Sequence, residues 1–383
     1  MKAGFRKRII ALLFPCACCT ILSIYLSACC SDILHDIEGN IPTIEQESAQ
    51  AVGVSGAAQI NRSHLIAALC RDTARPAVVV CQDEMAARRT QSELAAFLGA
   101  EAPILPTRDL MFYDASAISR GWEQQRLCCL YDLARGKTPL LLTTLEAFSL
   151  RTMPKAQLFS AAMRLLPGAQ LELDELVSRL VHAGYSRCSL VEGAGQFSVR
   201  GDIVDIYAPD MHQPARVEYW DDEIDSLASF DLLTQRRDGS LEKIYLSPAR
   251  EVLFGSTAET AEALRGAIKK ARGKKRTAME KATEADLAQL DSGLMPEAMD
   301  KYYGIRYPQP ATLLDHLDNP IFVLDEVGGI RDAQKATEYR RGEELTGLLE
   351  EGVLCPGLDV LYQTMDDLAI AAQKQSTLLC ENF

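Results

Sequence analysis

The chain has 383 residues, of which 48% are hydrophobic and 24% are charged, a composition typical of roughly two or three globular domains rather than a disordered chain. Its formal net charge of −13 at pH 7 excludes a protein that coats nucleic acid over its whole surface, but it allows a local basic site. Five of the 12 cysteines lie within the first 30 residues, and the others are scattered without metal-ligand spacing. We therefore predict reduced packing thiols and no metal site.

The first 30 residues have the shape of an export signal. A basic start is followed by an apolar run from Ile9 to Leu26, and the sequence from Leu26 to Cys29 resembles a lipoprotein cleavage box. Pro15 interrupts the apolar run, however, and no later segment has extracellular character. Two interpretations stay open: residues 1–30 are either an apolar leader or a mis-assigned start of the chain.

From about residue 50 to residue 150, short apolar segments alternate with amphipathic ones. The segment AVVVC at 77–81 is a fully apolar run of the kind found in buried parallel strands. Helical spacing follows it and ends at Gly99, and another strand-like run, PLLLTT, begins at Pro139. Strands that alternate with helices predict a parallel sheet covered by helices on both faces.

The first predicted strand-to-helix turn carries the sequence GVSGAAQI, which begins at Gly53. A phosphate-binding loop has the pattern G-x-x-x-x-G-K-[ST], in which the lysine neutralises phosphate charge and the hydroxyl holds Mg²⁺. Gly53 and Gly56 keep the start of such a loop. The second glycine, the lysine and the hydroxyl of the pattern are replaced by Ala58, Gln59 and Ile60. The sequence thus predicts a degenerate, inactive loop with no catalytic residue.

Another buried-type strand, within NPIFVLDEVGGI, ends at Asp325 and Glu326. This pair resembles the acidic end of a Walker B strand, where an aspartate holds Mg²⁺. Because the phosphate loop lacks its lysine and its hydroxyl, the pair predicts a vestigial Walker B element rather than a metal site.

Short alternating segments separated by turn residues follow an amphipathic helix and fill residues 195–236. This texture predicts an antiparallel meander, and hence a small α+β domain inserted into the α/β one. Its aromatic residues Tyr207, Tyr219, Trp220 and Phe230 alternate with polar neighbours, so we expect them in the core or half-buried.

Residues 265–281 contain eight basic residues and one acidic residue, Glu280, and acidic residues take over at Glu284. A solvated helix face is the simpler interpretation of such a charge run. Direct contact with nucleic acid is the alternative.

The meander sequence carries a specific family resemblance. It contains G-x-F-x-x-R-G, a strand ending in Y-x-P, then R-V-E-Y-W-x-D-E-I-D-S-L and F-D-x-x-T-Q-R, in that order. This series resembles the interaction domain shared by the excision-repair protein UvrB and the transcription-repair coupling factors. A second segment, from Leu105 to Leu133, follows the coupling-factor pattern. The intact phosphate loop typical of UvrB is missing, so the resemblance, over roughly residues 45–345, points to the UvrB-like N-terminal region of a coupling factor.

This resemblance implies an α/β fold in which a degenerate RecA- or helicase-like parallel-sheet domain carries an inserted UvrB-type interaction domain. After residues 1–30, the expected divisions are 31–155 for the first part of the α/β domain, 156–252 for the UvrA-binding domain, 253–345 for the second part of the α/β domain, and 346–383 for a linker toward further C-terminal domains.

The resemblance also implies a set of UvrA-binding residues on the meander. The matching positions here are Arg187, Arg200, Arg216 and Glu218. Arginines suit this role because they make bidentate, charge-assisted contacts and are frequent among interface hot spots. The alternative is that Arg200 and Glu218 only pair with each other across neighbouring strands.

The coupling factors are cytoplasmic, ATP-driven DNA translocases of transcription-coupled nucleotide excision repair, which release stalled RNA polymerase and recruit UvrA. In the family, the polymerase-binding domain and the motor, with its ATP, Mg²⁺ and double-stranded DNA, lie C-terminal to the region that ends here at Phe383. No cofactor is therefore expected in this chain. The UvrA-binding face is expected to contact the C-terminal domain until activation. A divergent UvrB-type ATP-dependent repair helicase and an exported lipoprotein with a borrowed fold are the alternatives.

Overall fold

A computed structural model describes residues 51–113, 120–354, 358 and 360–382 of the chain. The predicted leader at 1–30 lies outside these residues, as does the segment 114–119 within the coupling-factor-like stretch. Among the helices of the described ranges, none combines the length and apolarity that a membrane crossing requires.

The first structural unit is a six-stranded parallel sheet, with strands numbered in chain order. It contains β1 (Ala51–Ser55), β2 (Ala77–Cys81), β3 (Ile104–Leu105), β4 (Leu140–Thr144), β13 (Ile321–Asp325) and β14 (Ser376–Glu381). Their order across the sheet is β1-β14-β13-β2-β4-β3. Every residue of β2 is buried, as expected for an apolar strand in the interior of a parallel sheet.

Helices cover both faces of this sheet. They are α1 (Gln59–Thr73), α2 (Glu84–Leu98), α3 (Gly121–Ala134), α4 (Leu145–Ser149), α5 (Lys155–Ala161), α7 (Thr257–Lys270), α8 (Gly273–Asp291), α9 (Tyr303–Arg306), α10 (Val327–Glu350) and α11 (Met365–Lys374), with 3-10 turns at Met299–Tyr302 and Leu313–His316. Alternate residues of β2 point to opposite faces, so Val79 packs with α1 and α2 while Val78 and Val80 pack with α3 and α4. The predicted α/β layer arrangement is confirmed.

The end of the chain corrects one prediction. Residues 346–383 are expected to be a linker, but β14 lies inside the parallel sheet, hydrogen-bonded to β1 on one side and to β13 on the other. The helix α10 also runs through the expected boundary at residue 345. The apolar run STLLCE fills this place because the facing edges of β1 and β13 each need a partner for their backbone amides and carbonyls.

The inserted domain is built around a second, six-stranded sheet. Its strands are β6 (Ser186–Arg187), β7 (Gln196–Arg200), β8 (Ile203–Tyr207), β9 (Ala215–Trp220), β10 (Glu223–Phe230) and β11 (Arg237–Ser240). Neighbours in sequence pair antiparallel, apart from the short parallel pair of β6 and β7. One face packs against the helix α6 (Leu173–His182). The strands β5 (Met163–Leu165) and β12 (Ile244–Leu246) pair antiparallel, which brings the two ends of the insertion together.

A buried charge network joins the insertion to the α/β domain just after β12. Glu251 accepts hydrogen bonds from Arg108 at 2.7 Å and from Arg126 at 3.4 Å. Arg108 also pairs with Asp300 at 2.7 Å, and the backbone amide of Glu251 donates to Glu123 at 2.8 Å. Because buried charges are costly when unpaired, this network fixes the exit of the insertion against α3 and against the segment that precedes it.

The nucleotide edge and the arginine face

We call the carboxyl ends of β1, β13 and β14, together with the loop Gly56–Ala58, the nucleotide edge. The loop leaves β1 through Gly56 at a φ of 71°, a left-handed conformation that favours glycine. The Gly56 amide donates to the Glu381 carbonyl at 3.1 Å, so the sheet neighbour already uses this N–H group. Ala58 begins α1 without a side-chain cap, and Ile60 is exposed. The predicted position of the degenerate loop, at the first strand-to-helix turn, is confirmed.

Arg62, from the first turn of α1, occupies the nucleotide edge. Its Nε donates to Asp325 Oδ1 at 2.8 Å, and its Nη1 donates to the Ala57 carbonyl at 3.0 Å and to Asn382 Oδ1 at 3.1 Å. The side chains of Arg62 and Asp325 are 3% and 5% exposed. The second Asp325 oxygen accepts from Thr90 Oγ1 at 3.1 Å. Each carboxylate oxygen of Asp325 thus accepts a hydrogen bond from a protein group.

Two further carboxylates surround this arginine. Glu326 Oε1 lies 2.7 Å from Arg62 Nη1, close enough for charge attraction but outside hydrogen-bonding geometry. The Glu381 carboxylate accepts from the Gly328 amide at 3.1 Å, at the start of α10, where the helix dipole favours a negative charge. The edge therefore presents three carboxylates against a single arginine. This balance repels the phosphates of a nucleotide, whereas a working phosphate loop attracts them.

The backbone at this edge leaves little space. Glu326 adopts a φ of 70°, which is uncommon for a residue other than glycine. A Cβ atom at Gly329 would lie 1.8 Å from Gln82 Oε1, so the glycine lets α10 approach the end of β2. The predicted pair of Asp325 and Glu326 is therefore held between closely packed elements.

Two buried thiols lie at the same ends of the strands. Burial, reinforced by the Asp325 charge, raises the pKa of Cys380 to about 12, and the same causes raise the pKa of Cys81. Both cysteines are free and packed in the core. They remain protonated at neutral pH and, as predicted for them, serve as packing thiols.

Sequence reasoning missed Arg62, although the sequence contains a signal for it. Arg62 lies on the same side of α1 as Ile66 and Leu69, which are both buried. A cation within the apolar stripe of a helix needs a carboxylate partner, since an unpaired buried charge is strongly unfavourable. That partner comes from a strand about 260 residues later, which the stripe alone does not reveal.

The second site is the outward face of β7, β8 and β9, which we call the arginine face. Asp205 lies at its centre and is 1% exposed. Arg216 approaches this carboxylate with both arms of its guanidinium, at 2.7 and 3.0 Å, and Arg200 donates to it from the other side. The Arg216 guanidinium also lies over the Phe230 ring, 5.0 Å from its centre. The hydrogen bond to Asp205 raises the pKa of Arg216.

Glu218 lies on the same face but has different partners. It accepts hydrogen bonds from Ser226 and from Arg237, the latter at 3.0 Å. The strand register sets Glu218 opposite Ile203, and Arg200 pairs with Asp205. The alternative of a direct pair between Arg200 and Glu218 is therefore wrong. Arg200 and Glu218 nevertheless each form polar contacts with residues of neighbouring strands, as that alternative supposes.

Arg187 lies apart from the other three predicted residues. It belongs to the edge strand β6, where its register partner is the buried core residue Phe197. Paired residues of neighbouring strands share a face of the sheet, so Arg187 belongs to the opposite side from Arg200 and Arg216. The structure brings three of the four predicted residues together on the arginine face.

Apolar side chains are exposed at both ends of β10. Trp220, the last residue of β9 before the turn into β10, is 77% exposed, and Leu233, in the turn that follows β10, is 93% exposed. Tyr219 and Phe230 are buried as predicted, but the prediction of a buried or half-buried Trp220 is wrong. Trp220 follows the alternation onto the outward face at the end of its strand, where none of the described elements covers it.

Comparison with known proteins defines the class first. Residues 163–252 match the family described as the UvrB interaction domain. These residues include β5 through β12, α6 and the whole arginine face. The chain is therefore an α/β protein with a degenerate RecA-like sheet and an inserted UvrB interaction domain.

The relatives then narrow this class. The chain is 31% identical to the transcription-repair-coupling factor of Bacillus subtilis over 342 residues, which cover 86% of this chain and 28% of that protein. It is 34% identical to the same factor of Myxococcus xanthus over 218 residues, covering 55% of this chain and 18% of that protein. The Staphylococcus aureus factor is 25% identical over 317 residues, 80% of this chain and 27% of that protein. The chain belongs to the transcription-repair-coupling-factor family, and its matches span about a quarter of the relatives' length.

Proposed function

We propose that this chain serves transcription-coupled nucleotide excision repair as a UvrB-like module that recruits UvrA through the arginine face. One observation carries the proposal. Inside the residues that match the UvrB interaction domain, a buried aspartate holds Arg216 and the 47%-exposed Arg200 side by side. Arginines that are held in position lose little side-chain entropy on binding, and Arg is enriched among interface hot spots.

The arginine face also has the surroundings that a protein partner needs. Trp220 at the end of β9 and Leu233 in the turn after β10 supply exposed apolar surface, and Glu218 offers an acceptor on the arginine face itself. An interface of this kind combines apolar anchors with a few charge-assisted hydrogen bonds. We assign Arg200 and Arg216 as the principal UvrA contacts and Glu218 as a supporting one. Arg187 contributes only if the partner reaches around the edge strand β6.

The test is the affinity of the chain for purified UvrA, measured by biolayer interferometry. Arg200→Ala with Arg216→Ala should weaken binding at least about thirtyfold, as expected when a hot spot of about 2 kcal/mol is lost. The matched control replaces Arg88 and Arg340, which also pair with carboxylates but lie outside the interaction domain. Equal affinities for the face variant and the control variant would refute the proposal, as would a wild-type chain that does not bind UvrA.

We further propose that the nucleotide edge binds no ATP and that this chain alone catalyses no hydrolysis. The buried pair of Arg62 and Asp325 supports this, because each oxygen of the aspartate already accepts a hydrogen bond from a protein group and the arginine occupies the place of a cation. The alternative of a divergent UvrB-type helicase requires ATP binding at this edge. Isothermal titration with Mg·ATP separates the two: micromolar affinity that is lost in Asp325→Asn would favour the helicase.

The matched region of this chain spans about a quarter of the length of its relatives. For the whole protein we propose ATP-driven release of stalled RNA polymerase from double-stranded DNA. The motor and polymerase-binding parts would supply the ATP, Mg²⁺ and DNA sites. The arginine face would be covered by the protein's own C-terminal domain until activation. We place this function in the cytoplasm. Mass spectrometry of the native N-terminus tests the exported-lipoprotein alternative, which requires a lipidated Cys29.

A further inference from the structure

The turn between α7 and α8 carries a concentrated positive charge. Residues 269–276, which we call the basic tip, contain six lysines and arginines and no carboxylate, in a chain whose net charge is −13. All of these residues are exposed except Ala271. The tip belongs to a supported structure, because Ile268 and Met279 on either side of it are buried in the main core and Arg265 pairs with Asp291 at 2.7 Å.

Most of this charge has no internal partner. Arg276 pairs with Glu280 at 2.8 Å. The other five cations form no ion pair with any residue in the described ranges; they are Lys269, Lys270, Arg272, Lys274 and Lys275. A surface cluster of this density repels itself, and an external anion relieves that repulsion.

The first turn of α8 also lacks the features that usually stabilise the N-terminus of a helix. Lys274, Lys275 and Arg276 lie in its first turn, which has no acidic residue and no side-chain cap. Cations at a helix N-terminus oppose the helix dipole. The preceding helix α7 has the favourable arrangement, a capping box made by Ser256 and Glu259. The free N–H groups and the cations at the tip therefore converge on the same kind of ligand, an anion.

The side chains of the basic tip indicate which kind of anionic partner it can bind. Within 269–276 the only apolar side chain is Ala271, which is buried, so the tip offers no apolar anchor for a protein partner. It also has no aromatic residue, so it cannot stack the unpaired bases of a single strand. Lysines and helix N–H groups suit the phosphates of a duplex, which they contact without reading sequence. We propose that the basic tip binds the phosphate backbone of double-stranded DNA.

This site is independent of UvrA recruitment, because it lies outside residues 163–252. It would give the UvrB-like region a binding site for duplex DNA that is separate from any motor domain. Binding should tolerate any sequence and fall steeply with salt, because it is driven by the release of counterions from the phosphates.

The experiment measures fluorescence anisotropy of a labelled mixed-sequence DNA duplex with the full chain, across a salt series. Lys274→Gln with Lys275→Gln should lower the slope of log affinity against log salt by about 1.8, because two phosphates are no longer neutralised by the tip. The gain in affinity between about 200 and about 50 mM salt should accordingly shrink about tenfold. Arginine at both positions should retain the wild-type slope.

A matched control removes two lysines elsewhere, with Lys335→Gln and Lys374→Gln, and should retain the wild-type slope. Thermal melts show that each variant is folded. The proposal is overturned if the wild type does not bind the duplex, or if the control lowers the slope as much as the tip variant. It is also overturned if polyglutamate or single-stranded DNA competes as well as duplex, since either result points to a partner other than duplex phosphates.

Discussion

The nucleotide edge and the arginine face both place arginine around a buried aspartate, yet they differ in what the arginine exposes. At the nucleotide edge, Arg62 is 3% exposed and points inward to Asp325. On the arginine face, Asp205 is buried as Asp325 is, but its partner Arg200 is 47% exposed. An arginine–aspartate pair of the same kind therefore fills the nucleotide edge, whereas on the arginine face it holds an arginine in position at the surface. The difference lies in whether the guanidinium keeps donors available to a partner.

The backbone around the two clusters explains this difference. Arg62 comes from a helix packed over the ends of parallel strands, so its side chain is enclosed by α1, β13 and the residues after β14. Arg200 and Arg216 come from strands whose outward face is not covered by a described helix. Parallel sheets are covered on both faces, whereas an antiparallel sheet can leave one face to solvent.

The largest effect is expected at the closed site. Arg62→Ala leaves Asp325 and Glu326 without their cation, and breaking a buried pair in this way costs about 3–5 kcal/mol of unfolding free energy. Denaturant unfolding measures the loss. Arg88→Ala, which breaks an exposed pair with Glu84, serves as the control and should change little. An Arg62→Ala protein as stable as its control would remove the distinction between closed and open sites.

The buried side chain of His316 shows how burial affects the pKa of a basic group that forms no ion pair with a described carboxylate. Burial lowers the pKa of His316 to about 4, and within the described part of the chain no group hydrogen-bonds to its Nδ1. Below pH ~6.5 the unfolded chain takes up a proton that the folded chain does not, so the free energy of unfolding falls by roughly 3 kcal/mol as pH drops to about 4. Above pH ~6.5 this contribution is constant.

Unfolding at a series of pH values measures this dependence. His316→Gln should remove this part of the pH dependence, whereas replacement of the exposed His212 should retain it. An unchanged dependence in His316→Gln would mean that the histidine is not held neutral.

On the open face, the two arginines should compensate for each other. Arg216→Ala is expected to cost about 1 kcal/mol and Arg200→Ala less, because each variant leaves Asp205 one partner. The double variant leaves Asp205 unpaired and should lose more than the sum, by about 1 kcal/mol. A double-mutant cycle of unfolding free energies measures the excess. Strict additivity would show that the arginines do not share the aspartate.

The smallest effect is expected from rebuilding the loop. Ala58→Gly, Gln59→Lys and Ile60→Thr together restore the residues of the phosphate-loop pattern. Because Arg62 still fills the edge beside three carboxylates, Mg·ATP should bind with a Kd above about 1 mM, as in the wild type. Isothermal titration measures this. Micromolar binding by the rebuilt chain would show that the loop alone, and not Arg62, closes the site.

The sequence predicts the local features of this molecule well. The apolar run at 77–81, the degenerate loop and the alternating strands of the meander each follow from patterns within a few residues. The sequence does not predict features that depend on distant pairing. The pairing of β14 with β1 and the pairing of Arg62 with Asp325 both join segments more than 250 residues apart.

The arginine face is an intermediate case. The family pattern correctly groups Arg200, Arg216 and Glu218, because strand alternation puts them on one side of the sheet. The pattern has an acidic position in this strand, filled here by Asp205, but it does not predict that this carboxylate is buried between the two arginines. The alternation of aromatic and polar residues misassigns Trp220, because alternation gives the face of a side chain but not whether another element covers it.

The affinity of UvrA for two lysine variants tests the contrast between the sites most directly. Lysine keeps the charge but loses the bidentate fork, so both variants weaken their own ion pair. At a temperature where both variants are folded, Arg216→Lys should weaken UvrA binding at least about tenfold, while Arg62→Lys should bind UvrA like the wild type. Equal losses in the two variants, or a loss confined to Arg62→Lys, would contradict the assignment of recognition to the arginine face.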